Sequence, residues 1–408
     1  MDPSHDALKV DARPEGAAKE ESAPEVSVVI PCLNESETVG TCVRKALDAM
    51  KAAGIAGEVI VADNGSADGA ERVAREAGAR VVDAPLKGYG NALMFGIAAS
   101  RGRFIVMGDA DDSYDFGDTP KFVERLRGGD ELVMGCRLPS GGGSIEPGAM
   151  KPLHRWFGNP GLSFLVRWMF GAPIHDVYCG MRGFSRDLYD RLAMRCTGME
   201  FAIEMIVKAS LFKRRIGEVP ITLHRDGRTK HRGHLRSFRD GWRSLRFYLL
   251  YSPKWLFMAP GIALFALGML GYALAIPGVK IGAAKLDVHT LLVASLLLLL
   301  GQQAFHFAIT ARTFAVTEGL LPPSPALDRF LSAINLERGI VIGLAVAAVG
   351  VGLIAWASNE WRQAGFGALD YGRTMRLVIP GVTLAAMGVQ SVLASFIVSL
   401  LQMARRRG

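Results

Sequence analysis

The sequence predicts an α/β domain with a mostly parallel, Rossmann-like sheet, followed by a four-helix transmembrane domain. Three observations carry this. Short β-branched runs alternate with stretches of helical period through the first half of the chain. Most of the alternating charge falls in the first 250 of the 408 residues. Four long apolar runs fill the remainder, and the mean hydropathy is positive although 21% of residues are charged.

Residues 1–24, rich in Asp, Glu, Ala and Pro, read as a disordered tail with no apolar core of a signal peptide. Strands are expected at 26–31 (VSVVIP), 58–62 (EVIVA), 80–83 (RVVD), 104–107 (FIVM) and 131–134 (ELVM), with helical period at 37–53 and 67–77. That alternation means a parallel sheet with helices on both faces, a domain set at 25–225. Ligands of such sheets bind beyond the carboxyl ends of the strands. The informative residues therefore follow them: Pro31 to Glu35, Asp63 to Ser66, Lys87 to Asn91 and Asp109 to Asp115.

The glycine-rich stretch 139–148 is expected to be a loop, either a lid over a site or a disordered linker. Residues 150–170 mix Trp156, Phe157, Phe164 and Trp168 with His154, Arg155 and Arg167, too charged to span a bilayer; they read as an interfacial or a buried helix. Residues 226–254 form a basic juxtamembrane segment. From 225 to 246 there are eight Lys or Arg against Asp226 and Asp240, a pattern that anionic headgroups or lipid phosphates attract. Nucleic acid is disfavoured as a partner by the membrane helices that follow.

Domain 255–408 holds spans at about 255–276, 289–311, 339–358 and 377–403, each near the roughly 20 residues a bilayer requires. Arg and Lys favour the side shared by residue 254 and both termini, which places an integral membrane protein with its head and termini in the cytoplasm, at the inner membrane if the cell is bacterial. Gln302, Gln303 and His306 within the second span either bond between helices or line a path for a lipid. The five cysteines, odd in number and without CxxC spacing, read as reduced thiols.

After the fourth strand, Asp109-Ala110-Asp111 presents two carboxylates one residue apart. Such a pair holds a divalent ion bridging the phosphates of a nucleotide diphosphate, and Asp112, Asp115 and Asp118 add negative charge nearby. Asp63-Asn64-Gly65-Ser66 offers a carboxylate and a tight turn for a base or ribose. Pro31 to Glu35 stands where a dinucleotide fold would carry its glycine fingerprint, and no GxxxxGK[ST] occurs, so neither NAD nor a P-loop is expected.

VSVVIPCLNE, VADNGS, KGYGNALMFG, MGDADDSYD and LVMGCR, in that order, resemble the successive motifs of family-two glycosyltransferases of GT-A fold. More narrowly, they resemble dolichyl-phosphate mannosyltransferases and bacterial polyprenyl-phosphate glycosyltransferases. The resemblance implies a metal-dependent, inverting transfer of mannose or glucose from a nucleotide sugar, GDP-mannose or UDP-glucose, to a dolichyl or undecaprenyl phosphate at the cytoplasmic membrane face. It places Pro31, Asn34, Glu35 and Asp63 at the nucleoside, with Asn64, Lys87, Gly88 and Ala110 on the same side. Asp109 and Asp111 bind Mg2+ or Mn2+. Relatives often have Gln two residues on, where this chain has Ser113, so the third metal ligand stays open. Arg137 and Arg155 are implied at the acceptor phosphate, with Arg225, Arg228 and Lys230 as further candidates beside plain headgroup attraction. Glu200 is either one half of a buried ion pair or a base. A phosphate acceptor is already mostly dianionic, its second pKa being about 6, and needs no base. No QxxRW occurs. A transferase acting on a hydroxyl or lipid-linked sugar, and a non-catalytic sensor of sugar nucleotides, are the competing readings; a homo-oligomer is left open.

Overall fold

The computed structural model describes residues 23–229, 237–282, 284–333 and 335–403. The expected disordered tail therefore lies almost wholly outside the described residues, as does Lys230.

The head is built on a seven-stranded sheet. In chain order its first part runs β1 (Val26–Cys32), α1 (Val39–Ala52), β2 (Gly57–Asp63), α2 (Ala70–Glu76), β3 (Arg80–Asp83), α3 (Tyr89–Ala99), β4 (Phe104–Met107), α4 (Thr119–Arg127) and β5 (Leu132–Cys136). Then come β6 (Ser144–Ile145), α5 (Asn159–Phe170), β7 (Arg182–Ser185), α6 (Arg186–Leu192), α7 (Glu200–Leu211), β8 (Ile216–Pro220), β9 (Thr222–Leu223) and α8 (Ser237–Leu250). The spatial order is β3-β2-β1-β4-β7-β5-β8. β1 to β4 are mutually parallel; β7 enters antiparallel between β4 and β5, with Gly183 opposite both Val106 and Val133. β4 and β5 are buried throughout and β1 nearly so, as a sheet covered on both faces requires. α1 turns Val39, Cys42, Val43, Ala46 and Met50 inward at helical spacing.

The glycine-rich stretch is ordered, against the linker expectation: β6 pairs with β9, and a short 3-10 turn spans Pro139–Gly141. Residues 150–170 are neither fully buried nor wet. A π-helical turn, His154–Gly158, leads into α5, whose Ser163, Val166 and Phe170 pack inward. Trp156, Phe157, Phe164 and Trp168 are more than half exposed, an apolar face suited to a bilayer interface. Trp168 stacks on Trp255 with ring centroids 3.8 Å apart, joining this face to the start of the first membrane helix.

The membrane domain comprises α9 (Ala259–Ala275), entered through the π-helical turn Lys254–Met258, a hairpin of β10 (Lys280–Ile281) and β11 (Ala284–Lys285), α10 (Val288–Thr317), the short α11 (Pro325–Ala333), α12 (Leu336–Gln363) and α13 (Tyr371–Gln402). Four of these helices are long and apolar enough to cross a membrane. The last three outrun the expected apolar stretches; α13, at about 1.5 Å per residue, exceeds the roughly 30 Å hydrocarbon core and so tilts or emerges from it. α9 packs on α10, α10 on α13, and α12 on α13. Gly343 and Gly350 face Gly388 and Gly381, and a Cβ at Gly350 or Gly388 would collide with the facing backbone. Small residues let helices approach closely where no hydrophobic effect drives them together. Gln302 donates from Nε2 to Met387 O (2.9 Å) and Ser391 Oγ (2.8 Å), so it bonds α10 to α13.

Candidate functional site

The carboxyl ends of β1, β2 and β4 converge. Cys32 lies opposite Asp63 and Val29 opposite Met107, which brings Asp109 out at about the level of Pro31. Asp63 ends β2, and its Oδ2 accepts from the amides of Gly65 and Ser66, both at 2.9 Å. Its Oδ1 is buried with no partner among the described residues, and so is Glu35 Oε2. A buried carboxylate oxygen without a donor is costly, and the hydroxyls or ring N–H groups of a nucleoside are the donors such oxygens lack.

Other residues assigned to the nucleotide side build the frame. Asn34, at φ 59°, donates its amide to Ser66 Oγ and accepts from Ala67 N through Oδ1, tying the β1 loop to the β2 loop. Asn64 donates to Ala84 O and Leu86 O and accepts from Gly88 N, while Lys87 Nζ donates to Asn64 O. Gly88, at φ 133°, opens α3; a side chain there would meet Thr197 O at 2.6 Å. Ala110 is buried, and Pro31 is the partly exposed penultimate residue of β1.

Asp109 Oδ1 accepts from Tyr89 OH at 2.8 Å. Burial, with Asp111 close by, pushes its carboxyl up to about 6. A buried carboxylate with a second acid two residues on fits a divalent cation, which would be held by Asp109 and Asp111. Among the described residues no third His, Cys, Asp or Glu joins them in a cluster able to hold a metal ion. Ser113 donates its hydroxyl to Asp111 Oδ1 at 2.6 Å, so it orients that carboxylate.

Three acceptor-side assignments change. Arg137 is buried: Nε and Nη2 donate to Asp176 at 2.7 and 2.9 Å, and Nη1 donates to Tyr114 OH at 3.3 Å. Asp176 has no exposed surface, so the pair is buried inside the head, and the guanidinium is held by protein partners where the sequence reading had a lipid phosphate. Arg228 lies among the acids of the candidate site, 2.9 Å from Glu35 Oε1 and 3.1 Å from Asp111 Oδ2, besides its bonds to Asp226. The buried ion pair considered for Glu200 is made instead by Glu204 and Lys208, at 2.7 Å. Arg155 stays on the interfacial segment, its guanidinium over the Trp156 ring. Arg225 is exposed and donates from Nε to Pro147 O.

Sequence reasoning missed how Arg228 arrives. The segment after β9 runs back across the Asp-x-Asp loop: His224 N donates to Ser113 O (2.9 Å), Gly227 N to Asp111 O (3.0 Å), and Thr229 N and Oγ1 to Glu37. This strap places a cation among Glu35, Asp111 and Asp226 and leads on to α8. Glu35 is pushed up to about 7 by burial against the opposing pull of Arg228. Arg182, also unforeseen, is buried beneath Asp109 and Tyr89 and donates to Ala202 O and Cys179 O. A cavity of about 430 Å³ lined by Arg103, Asp130, Ser185 and Arg215 lies at the opposite ends of the strands and is unrelated to this site.

Paired carboxylates at the end of a central parallel strand, beside orphaned acceptors and above a membrane domain, define a membrane-bound transferase that handles nucleotide-linked groups. The chain belongs to glycosyltransferase family 2: the model for Glycosyl transferase family 2 matches residues 27–193, and that for the Glycosyltransferase family 2 C-terminal transmembrane region matches residues 309–402. The low-salt glycan biosynthesis hexosyltransferase Agl6 of Haloferax volcanii is 39% identical over 393 residues, covering 94% of this chain and 91% of that protein. A dolichyl-phosphate hexose transferase of the same organism is 31% identical over 50% of this chain and 86% of its own length. A Mycobacterium tuberculosis glycosyltransferase is 34% identical over 53% of this chain and 96% of its own. A solved glucosyl-3-phosphoglycerate synthase from M. tuberculosis aligns over 56% of this chain and 78% of that one, at 23% identity and a TM-score of 0.43.

Proposed function

We propose that this glycosyltransferase moves a hexose from a nucleoside diphosphate to a polyprenyl phosphate, with inversion, at the cytoplasmic face of the membrane. The observation that carries the reading is the strap 222–229, which crosses the Asp109–Asp111 loop and precedes in sequence α8, a helix packed on α5, α7 and the turn that enters the first span, beside a head whose aromatic face meets Trp255 of that turn. The hexose transferases named above support the transferred group.

Asp63 and Glu35 offer acceptors to the nucleoside, and Lys87 and Gly88 close the same side. A divalent cation held by Asp109 and Asp111 would neutralise charge on the departing diphosphate. Arg228, paired with Glu35, Asp111 and Asp226, sets a guanidinium beside these acids, where it can bond diphosphate oxygens. An acceptor phosphate, mostly dianionic near neutral pH, attacks the anomeric carbon from the face opposite the diphosphate, expelling the nucleoside diphosphate, and Arg155, on the segment that carries the exposed aromatic face, receives it.

A second reading, transfer to a hydroxyl, is favoured by Glu200, which begins α7 beside the Cys196–Gly198 loop that packs on Gly88 and Gly90. Incubating membranes carrying the chain with labelled GDP-mannose or UDP-glucose and polyprenyl phosphate, then extracting lipid, tests both. The proposal requires an acid-labile labelled polyprenyl phosphate sugar, lost in Asp109→Asn and Asp111→Asn but kept in Glu200→Gln. Label that reaches only a hydroxyl-bearing acceptor, and vanishes with Glu200→Gln, establishes the second reading instead.

A further inference from the structure

A cavity of about 230 Å³ opens between α10, α11, α12 and α13, with Phe305, Ile309, Phe330 and Ile342 among its apolar wall and His306 and Ser395 among its polar groups. We propose that it receives the hydrocarbon chain of the polyprenyl phosphate acceptor, an inference that rests on the acceptor class proposed above.

Its depth is set by neighbouring contacts. Phe257, in the turn that enters the first span, lies 5.9 Å from Phe307, so residues 305–309 sit level with the start of that span, where Lys254 covers Trp255 and Trp255 stacks on Trp168. The cavity therefore occupies the half of the membrane domain nearest the head. At that level, space lined chiefly by apolar side chains such as Phe305, Ile309, Phe330, Leu336, Ile342 and Val398 is suited to hydrocarbon.

Two features favour the acceptor over bulk phospholipid. The carboxyl end of α10 touches the head, where Arg195 Nη2 donates to Glu318 O at 3.1 Å. Two residues on, Thr197 O accepts from Asn91 N, in the first turn of α3, whose Tyr89 hydroxyl donates to Asp109. A short run of direct contacts thus joins the cavity's helices to the donor site. The helix ends bordering the cavity carry Arg312, Arg329 and Arg338 beside Glu318, Asp328 and Glu337, and in sequence Arg405, Arg406 and Arg407 follow α13, whose Gln402 lines the cavity, an excess of basic residues for a lipid whose head is a phosphate.

The test uses the full chain in nanodiscs with two photoreactive lipids, a diazirine-bearing polyprenyl phosphate and a diazirine-bearing phosphatidylglycerol, followed by peptide mapping. The polyprenyl probe is expected to label peptides holding residues 305–309 and 391–402. Labelling should fall at least about tenfold with excess unlabelled polyprenyl phosphate, and likewise in Ser395→Phe and Ile342→Trp, which fill the cavity from opposite walls. Donor-nucleotide binding in both variants verifies the fold; if it is lost, competition on the unaltered chain decides. Equal labelling by phosphatidylglycerol that polyprenyl phosphate does not displace, labelling confined to other helices, or variants that label as before would overturn the assignment. No turnover is needed, so specific labelling without sugar transfer would refute the proposed reaction while leaving this site standing.

Discussion

Arg137 is anchored by a buried carboxylate that has no other cation among the described residues, and that decides what its loss does. Arg137→Ala leaves Asp176 buried and unpaired, which costs about 3–5 kcal/mol. The expected outcome is a large fall in melting temperature in detergent, with donor and acceptor kinetics failing together; a stable variant with a raised KM for lipid alone would return Arg137 to the acceptor. The paired acids set a pH dependence. Asp109 and Glu35 hold protons up to about 6 and about 7, above ordinary carboxylates, so their contribution to stability is complete in acid and is lost as pH rises through those values. A cation binds only the ionised forms. The rise in melting temperature on adding Mn2+, which Asp109 would hold with Asp111, should be greatest near pH 8 and fade as pH falls through about 6; a pH-independent rise would exclude Asp109 as a ligand. Asp109, Asp111 and Asp63 were legible because a carboxylate directly after a buried strand has one place to go. Arg228 was not: 117 residues separate it from Asp111, and nothing local in HRDGRTK distinguishes a cation aimed at acids from one aimed at lipid.

At the scale of elements, the first four strands and α1 were readable because their apolar runs match the period of the structure they form. β7 and β8 escaped. RGFS and IGEVP contain glycine, a charge and a proline, and they are held by pairing with β4 and β5, not by intrinsic preference. The antiparallel entry of β7 is likewise a long-range outcome with no local signature. In the membrane, hydropathy marked the spans, while their seam depends on which small residues face each other. Gly388→Leu pushes a side chain into the backbone at Gly343 and Ala347. Overpacking of this kind costs about 1–3 kcal/mol, and more where backbone must move. The variant should aggregate at a lower temperature in light-scattering melts, whereas Gly352→Leu, where a Cβ meets nothing within 4 Å, should behave like the parent.

For the whole molecule, four spans after the head return the chain to the side it left. With basic residues gathered at 243–254 and 405–407 on that side, we expect head and carboxyl terminus together in the cytoplasm. A reporter fused after Gly408 that is active only outside the cytoplasm would refute this. The two-part architecture was plain from composition. That the head also presents its own aromatic face was only half legible, since α5 turns one side to the core and the other outward, and a sequence of mixed charge and aromatics fits either burial or an interface.

That outward face alters how reaction order should be understood. If Trp156, Phe157, Phe164 and Trp168 seat the head on the bilayer beside its tether α9, the enzyme searches a plane, not a volume. For a lipid acceptor the governing quantity is then its mole fraction in the membrane. Diluting the bilayer with inert lipid would slow transfer at constant bulk acceptor, and doubling vesicles of fixed composition would leave the turnover of each enzyme unchanged.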